Sequence, residues 1–202
     1  MKLEKITIAG ERHYNDACGT AQALDLIGER WAMLVLRELM LGPRRFGDLR
    51  ASLPGISANV LTQRLKGLEA AGVVARRKLE PPASVHVYEL TEWGREAEPV
   101  ILWLGRWGAR SPFQDVTMPL SAVSMALSFK AMFDPARAAG PDVAVAFKAD
   151  GEFFTIAIAG GALSVERGRR PEAELVVAGP PGALVGSVYG FAPLADIERA
   201  GT

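Results

Sequence analysis

Residues 57–72 read SANVLTQRLKGLEAAG, and the fold of the N-terminal half is inferred outward from this segment. At about 100° per residue, Leu61, Leu65 and Leu68 lie on one side of a helix and form the apolar stripe of a core-facing helix. The opposite side carries amides, a hydroxyl and one cation, from Asn59, Thr62, Gln63 and Lys66. A solvated helix face usually mixes Glu and Lys, so this composition indicates a surface that contacts a partner.

The segments around this helix predict a helix-turn-helix followed by a β-hairpin. Residues 44–53 are typical of a short helix that ends at Pro54-Gly55, and Ser57 can cap the next helix by accepting a backbone N–H. Residues 73–79 and 85–90 have the extended pattern of strands, and the proline-containing turn between them can continue neither.

Helices are predicted on both sides of this arrangement. Residues 17–27 and 29–41 carry apolar side chains at helical spacing, and residues 91–110 predict a long helix with a kink at Pro99. The long helix is rich in large apolar residues, among them Trp93, Val100, Leu104 and Trp107. We expect that face to pack against a neighbouring domain or against a second copy of the chain.

This order of elements is that of a winged helix-turn-helix, whose second helix enters the DNA major groove while the hairpin reaches the adjacent groove or phosphates. The whole chain has 23 basic and 23 acidic residues, but residues 44–78 hold eight Lys and Arg against two Asp and Glu. A polyanionic partner is therefore favoured over a merely solvated face.

Double-stranded DNA is the predicted partner because Asn, Gln, Thr and Lys match base edges, whereas Arg and Lys bind phosphates. For His86, the alternatives are a contact with phosphate and simple exposure to solvent. The predicted DNA-binding residues are Arg44, Arg45, Ser57, Asn59, Thr62, Gln63, Arg64, Lys66, Arg76, Arg77, Lys78 and His86.

Residues 14–110 resemble the winged-helix transcriptional regulators of the HxlR type. The resemblance is carried by IGERW (27–31), GPRRFGDLR (42–50), the pattern PGIS-x-x-x-LT-x-RL-x-x-LE-x-AG (54–72) and YELTEWG (88–94). It implies a homodimeric DNA-binding regulator whose terminal helices, here parts of 17–27 and 92–110, form the dimer interface. Two recognition helices would then meet successive major grooves of a pseudo-palindromic operator, about one helical turn apart.

Cys18 is the single cysteine, and it matches the position of a cysteine that some members of that family use as a redox or electrophile sensor. Arg12 and His13 lie nearby in sequence and would favour a thiolate. The chain departs from the family at Gly19, where a proline usually follows the cysteine. The alternative function is thus a redox- or electrophile-sensing regulator whose C-terminal domain only oligomerises. For Cys18 itself, the alternative to sensing is a buried or semi-buried apolar cysteine.

The sequence predicts an α+β chain of two domains, with boundaries at 1–110 and 120–202 and a linker at 111–119 that contains two prolines. In the second domain, residues 120–133 predict a helix and residues 180–200 show interrupted helical spacing. Four strands, enough for a meander, are predicted between them at 143–148, 152–159, 162–166 and 174–178.

The C-terminal domain resembles the sterol carrier protein type-2 fold over residues 121–202, mainly through AELVVAGPPGALVGSVYGFAPLADIERAG (173–201). From this we predict modulation by a small apolar ligand. The predicted ligand-lining residues, each of which could equally be plain core, are Phe153, Ile156, Ile158, Val176, Leu184 and Tyr189.

Few features of the sequence indicate an enzyme. The two histidines and the single cysteine have no metal-ligand spacing, and GPPGALVG lacks the lysine of a phosphate-binding loop. We therefore predict no catalytic residue, no metal and no cofactor. The N-terminus has no apolar signal segment and the apolar runs are too short for a bilayer, so a cytoplasmic protein without a membrane partner is expected.

Overall fold

A helical N-terminal unit with a two-stranded hairpin packs against a C-terminal unit built on a four-stranded sheet, in a computed structural model that describes residues 14–190. The N-terminal elements are α1 (Gly19–Ile27), α2 (Ala32–Leu39), α3 (Phe46–Ser52), α4 (Ala58–Ala70), β1 (Val74–Lys78), β2 (His86–Leu90), α5 (Glu92–Arg95) and α6 (Glu98–Gly108). The C-terminal elements are α7 (Ala122–Met132), a 3-10 helix (Pro135–Arg137), β3 (Val143–Ala149), β4 (Glu152–Ala159), β5 (Ala162–Arg167), β6 (Leu175–Ala178) and α8 (Pro181–Val188). The predicted α+β class and winged helix-turn-helix are confirmed.

Helix α4 forms where the sequence predicts it. Ser57 caps its first turn by accepting a hydrogen bond from the backbone N–H of Val60 at 3.2 Å. Leu61, Leu65 and Leu68 are fully buried in the N-terminal core, where they pack with residues of α2 and α3. After the helix, Gly72 has φ of 70°, the left-handed conformation that glycine adopts without a steric penalty.

Two helices differ from their predicted bounds. The helix predicted at 29–41 begins only at Ala32, because Trp31 has φ of 79° and cannot continue a right-handed helix there. The helix predicted at 91–110 is interrupted between α5 and α6. Pro99 has no backbone N–H, so it cannot donate a hydrogen bond to the carbonyl of Arg95 four residues earlier. The predicted long helix is therefore two helices, α5 and α6, and not one helix with a kink.

The C-terminal sheet has the strand order β5-β4-β3-β6. Strands β3, β4 and β5 form the predicted meander, but β6 pairs in parallel with β3, so the four-stranded meander is wrong. Thr155 fixes the loop after β5: its hydroxyl donates to the carbonyl of Gly168 at 2.8 Å and accepts from the N–H of Arg170 at 3.0 Å. This loop carries the chain across the sheet to β6.

The two units share a buried interface. Helix α7 packs against α6 and α2, and Met40 contacts both hydrophobic cores. Glu38 on α2 is fully buried and accepts a hydrogen bond from the hydroxyl of Ser121, the N-cap of α7, at 2.7 Å. A salt bridge of 2.5 Å between Lys130 on α7 and Glu98 on α6 is a second polar contact between the units. Polar contacts thus join the two units in this conformation.

The predicted helix at 180–200 is seen in its first half as α8, and the part beyond residue 190 lies outside the described residues. Over residues 14–190, no helix has the length and apolar character needed to cross a membrane. In the same part of the chain, no three His, Cys, Asp or Glu side chains are arranged to hold a metal ion.

Candidate DNA-binding surface

The outward side of α4 consists of exposed polar side chains. Asn59, Gln63 and Lys66 are exposed, and so is Thr62, whose hydroxyl donates to the carbonyl of Ala58 at 2.8 Å. The hydroxyl proton is engaged within the helix, but the oxygen can still accept a hydrogen bond from a base edge and the methyl group suits the methyl of thymine. The helix therefore presents two amides, a threonine side chain and an ammonium.

The hairpin β1-β2, here called the wing, follows α4 directly and packs against it. Arg76 and Lys78 are exposed on the same face of β1, and the exposed His86 lies opposite Lys78 in the strand register. Arg77 is on the other face and pairs with Glu89 at 2.6 Å, an exposed pair that is worth little in water. The wing thus carries a basic side next to α4.

Arg45 is exposed at the start of α3, where its backbone N–H donates to the side chain of Asp48 at 3.2 Å. Together with α4 and the wing it completes what we call the reading surface. The members of this surface are Arg45, Ser57, Asn59, Thr62, Gln63, Lys66, Arg76, Lys78 and His86, whereas the predicted contact Arg77 lies on the other face of the wing.

Two further predicted DNA contacts are placed elsewhere. Arg44 is only 8% exposed, and its guanidinium lies 2.5 Å from Glu152 and 3.0 Å from the hydroxyl of Ser52. Arg64 is half-buried and points at Glu29, 3.2 Å away, and not toward the exposed side of α4. Both guanidinium groups lie against carboxylates in this conformation, so their phosphate contacts stay predictions. Sequence reasoning also missed Glu152, which no local pattern connects with Arg44.

The six predicted ligand-lining residues do not surround one cavity. Side chains alternate along a strand, so Ile156 and Ile158 face the helices while Phe153 faces the opposite side of the sheet. Val176 is exposed on the same side as Phe153. Leu184 is fully buried core, and the hydroxyl of Tyr189 bonds to Ser128 at 3.2 Å. The predicted set is therefore corrected as a cavity lining.

A cleft of about 410 Å³ lies instead between the two units. It is mainly apolar and opens between the end of α3, the linker, the β3-β4 turn and the start of α8. Its lining residues are Ala51, Ser52, Pro54, Val116, Thr117, Met118, Pro119, Leu120, Ser121, Asp150, Pro180, Pro181 and Gly182.

Cys18 is exposed at the N-cap of α1, so the alternative of a buried apolar cysteine is wrong. Hydrogen bonds from the backbone of Ala21 and from the backbone and side chain of Thr20 lower the pKa of its thiol. Donors at a helix start favour the thiolate in this way. The predicted neighbours Arg12 and His13 lie outside the described residues.

Solved structures similar to this chain include a redox regulator, HypR, in its oxidized form, and the quinone-bound YodB from B. subtilis. HypR is 34% identical, with 48% of this chain and 99% of that chain covered and a TM-score of 0.45. YodB is 33% identical, with 46% and 97% covered and a TM-score of 0.40.

Sequence comparison also places residues 26–115 in a family model described as HxlR-like helix-turn-helix. An uncharacterized HTH-type transcriptional regulator of Bacillus subtilis (strain 168), YdeP, is 37% identical over 110 residues, which are 54% of this chain and 86% of that protein. Another, sll1512 of Synechocystis sp., is 42% identical over 93 residues, which are 46% and 68% of the two chains. Through its N-terminal half, the chain therefore belongs to the HxlR family of helix-turn-helix transcriptional regulators.

Proposed function

We propose that this protein is a cytoplasmic, homodimeric transcriptional regulator that binds a pseudo-palindromic operator through α4 and the wing. The observation that carries the proposal is the two-sided character of α4, with its leucine stripe fully buried and Asn59, Thr62, Gln63 and Lys66 exposed. Two such helices in a dimer would enter successive major grooves about one helical turn apart.

One side of α5 and α6 is the proposed dimer interface, which would pack against a second copy of the chain. Trp93, Val100, Trp103, Leu104 and Trp107 form this tryptophan face, and each is about half exposed or more in the single chain. The four members on α6 recur at i, i+3, i+4 and i+7, which aligns them in one stripe. A contiguous apolar stripe of this kind marks a protein interface, and aromatic residues are enriched in interface cores.

Gln63→Ala is expected to weaken binding to the operator by about 1–3 kcal/mol and to change binding to scrambled DNA little, because an amide in the major groove reads a base. Lys78→Ala on the wing is the matched control. It should weaken both DNAs similarly and reduce the salt dependence by about one phosphate contact, since an ammonium on phosphate carries no sequence information. Fluorescence anisotropy with both DNAs measures the difference.

Equal losses on operator and scrambled DNA for Gln63→Ala would contradict the placement of α4 in the major groove. In that case α4 would contact the backbone only.

Redox or electrophile sensing through Cys18 is the second candidate, favoured by the exposure of the thiol and its lowered pKa. Because the pKa is lowered, the thiolate persists to lower pH than in an ordinary cysteine. The rate of alkylation by iodoacetamide should therefore reach half its maximum at a lower pH than for a cysteine peptide, and oxidant should release the operator. A half-maximum at or above the peptide value, or equal release from Cys18→Ser, excludes this role.

A small apolar ligand has its proposed place in the cleft between the units, since the six residues first expected to line its site lie on two sides of the sheet. The cleft volume of about 410 Å³ is within the range of small-molecule sites, which are frequent at domain interfaces. The resemblance of residues 121–202 to the sterol carrier fold stays a prediction. Operator binding repeated with fatty acids and sterols tests the ligand proposal.

A further inference from the structure

Two arginines from different units share one carboxylate where the units meet. Nη1 of Arg44, which precedes α3, lies 2.5 Å from Oε1 of Glu152 at the start of β4. The other oxygen of Glu152 contacts Nη1 of Arg167 at the end of β5. We call these three residues the arginine clamp. Arg44 is 8% exposed and the other two are partly buried, so the clamp is not a surface ion pair.

Further hydrogen bonds connect the clamp to both halves of the DNA-binding unit. Nη2 of Arg44 donates to the hydroxyl of Ser52 at the end of α3, 3.0 Å away. The backbone N–H and carbonyl of Arg44 pair with Tyr88 in the wing at 2.9 and 2.8 Å. Nε of Arg167 donates to the carbonyl of Leu41 at 3.1 Å. The C-terminal sheet therefore holds the residue at which α3 and the wing meet.

The clamp withdraws one positive charge from the basic segment of the DNA-binding unit. Arg44 is the neighbour of Arg45, which is exposed, but the carboxylate of Glu152 compensates the charge of Arg44. Burial and the repulsion from Arg44 lower the pKa of Arg167 to about 10, so Arg167 keeps its charge near neutral pH. A buried arginine that loses its carboxylate must find water or another anion, because an unpaired buried charge is costly.

We propose that the arginine clamp is an autoinhibitory contact, in which Glu152 and a DNA phosphate compete for the guanidinium of Arg44. Arginine binds carboxylate and phosphate with the same N–H donors, and the buried guanidinium of Arg44 is out of reach of a phosphate while it lies against Glu152. Separation of the C-terminal sheet from α3 transfers Arg44 to the DNA backbone, which the first helix of the pair crosses in this class of domain. The inference rests on the proposed function.

Glu152→Gln in the full chain tests the clamp, because it removes the competing charge at nearly constant volume. Binding to operator and to scrambled DNA should both tighten. The slope of log affinity against log salt should steepen by about 0.9 for each bound protomer, so that the ratio of affinities at about 50 and 200 mM salt rises about 3.5-fold per protomer. Arg44→Gln should leave the slope of the otherwise unaltered protein unchanged and abolish the gain in the Glu152→Gln background.

Glu166→Gln is the matched control, since it breaks the exposed pair with Arg170 on the same sheet and should leave the slope unchanged. An unaltered or weaker affinity for Glu152→Gln, with the unsubstituted protein still binding DNA, overturns the clamp as an inhibitor. If Glu152→Gln does not fold, Arg44→Gln alone decides: a slope reduced by about 0.9 shows that Arg44 already contacts phosphate and overturns the proposal. Absence of salt-dependent DNA binding by the unsubstituted protein overturns the proposed function itself.

Discussion

Replacing Trp107 by glutamate is expected to convert the proposed dimer into monomers and to weaken operator binding by at least about 2 kcal/mol. Trp107 is 68% exposed in the single chain and Trp103 on the same stripe is 67% exposed. Truncating a central aromatic residue of an interface commonly costs this much, and a glutamate adds a charge that would have to be desolvated. The monomer would then hold only one half-site of the operator.

Sedimentation velocity measures the change in mass, and anisotropy measures the loss of operator affinity. Val143→Glu provides the control, because it places the same charge on an exposed apolar position of β3, outside the tryptophan face. We expect this control to remain dimeric. A Trp107→Glu protein that sediments like the unsubstituted one would place the dimer interface elsewhere.

Leu65→Ala is expected to lower the free energy of unfolding by about 2–5 kcal/mol, because it opens a cavity beneath the recognition helix. Leu65 is 1% exposed and packs in the N-terminal core with Leu36 and Leu49. Loss of this packing weakens the contact of α4 with α2 and α3. The exposed side chains of α4 would then no longer be held in a fixed arrangement. Urea unfolding followed by circular dichroism gives the free-energy difference.

The control is the same substitution at Leu175, which is 59% exposed on β6. Leu175→Ala should cost well under about 1 kcal/mol, since little apolar surface leaves the core. Similar losses for Leu65→Ala and Leu175→Ala would contradict the assignment of Leu65 to the core of the helix-turn-helix.

The helix-turn-helix was predictable because its determinants are local. The leucine stripe of α4, the cap at Ser57 and the left-handed Gly72 all lie within the same sixteen-residue segment. The start of α2 was not predictable by the same logic. Its helical pattern extends back to Glu29, but Trp31 takes a positive φ, and its ring packs against the core.

The exposed members of the reading surface follow from helical and strand periodicity, whereas Arg44 does not. Its partner Glu152 is 108 residues away in the chain, and their contact exists only because the two units dock. For the same reason, the burial of Glu38 against Ser121 has no signal in the local sequence of α2. Residue types alone cannot separate an arginine that binds phosphate from one that binds a distant carboxylate.

The predicted ligand-lining residues do not line one cavity, and strand alternation in the sequence already indicated part of this result. Phe153 and Ile156 are an odd number of residues apart on one strand, and strand alternation sends them to opposite faces. The parallel pairing of β6 with β3, which puts Val176 on the side of Phe153, depends on the path of the loop after β5. Strand periodicity therefore excludes one cavity lined by all the predicted residues, but it does not predict the order of strands in the sheet.

The most direct test is binding of the purified protein to DNA from its own upstream region and to scrambled DNA of equal length, across about 50–200 mM salt. We predict a preference for the upstream DNA and an affinity for both that falls steeply as salt rises, because Lys and Arg of the reading surface displace counterions from phosphates. Equal affinity for the two DNAs, together with no response to salt, would contradict the assignment of α4 and the wing to DNA.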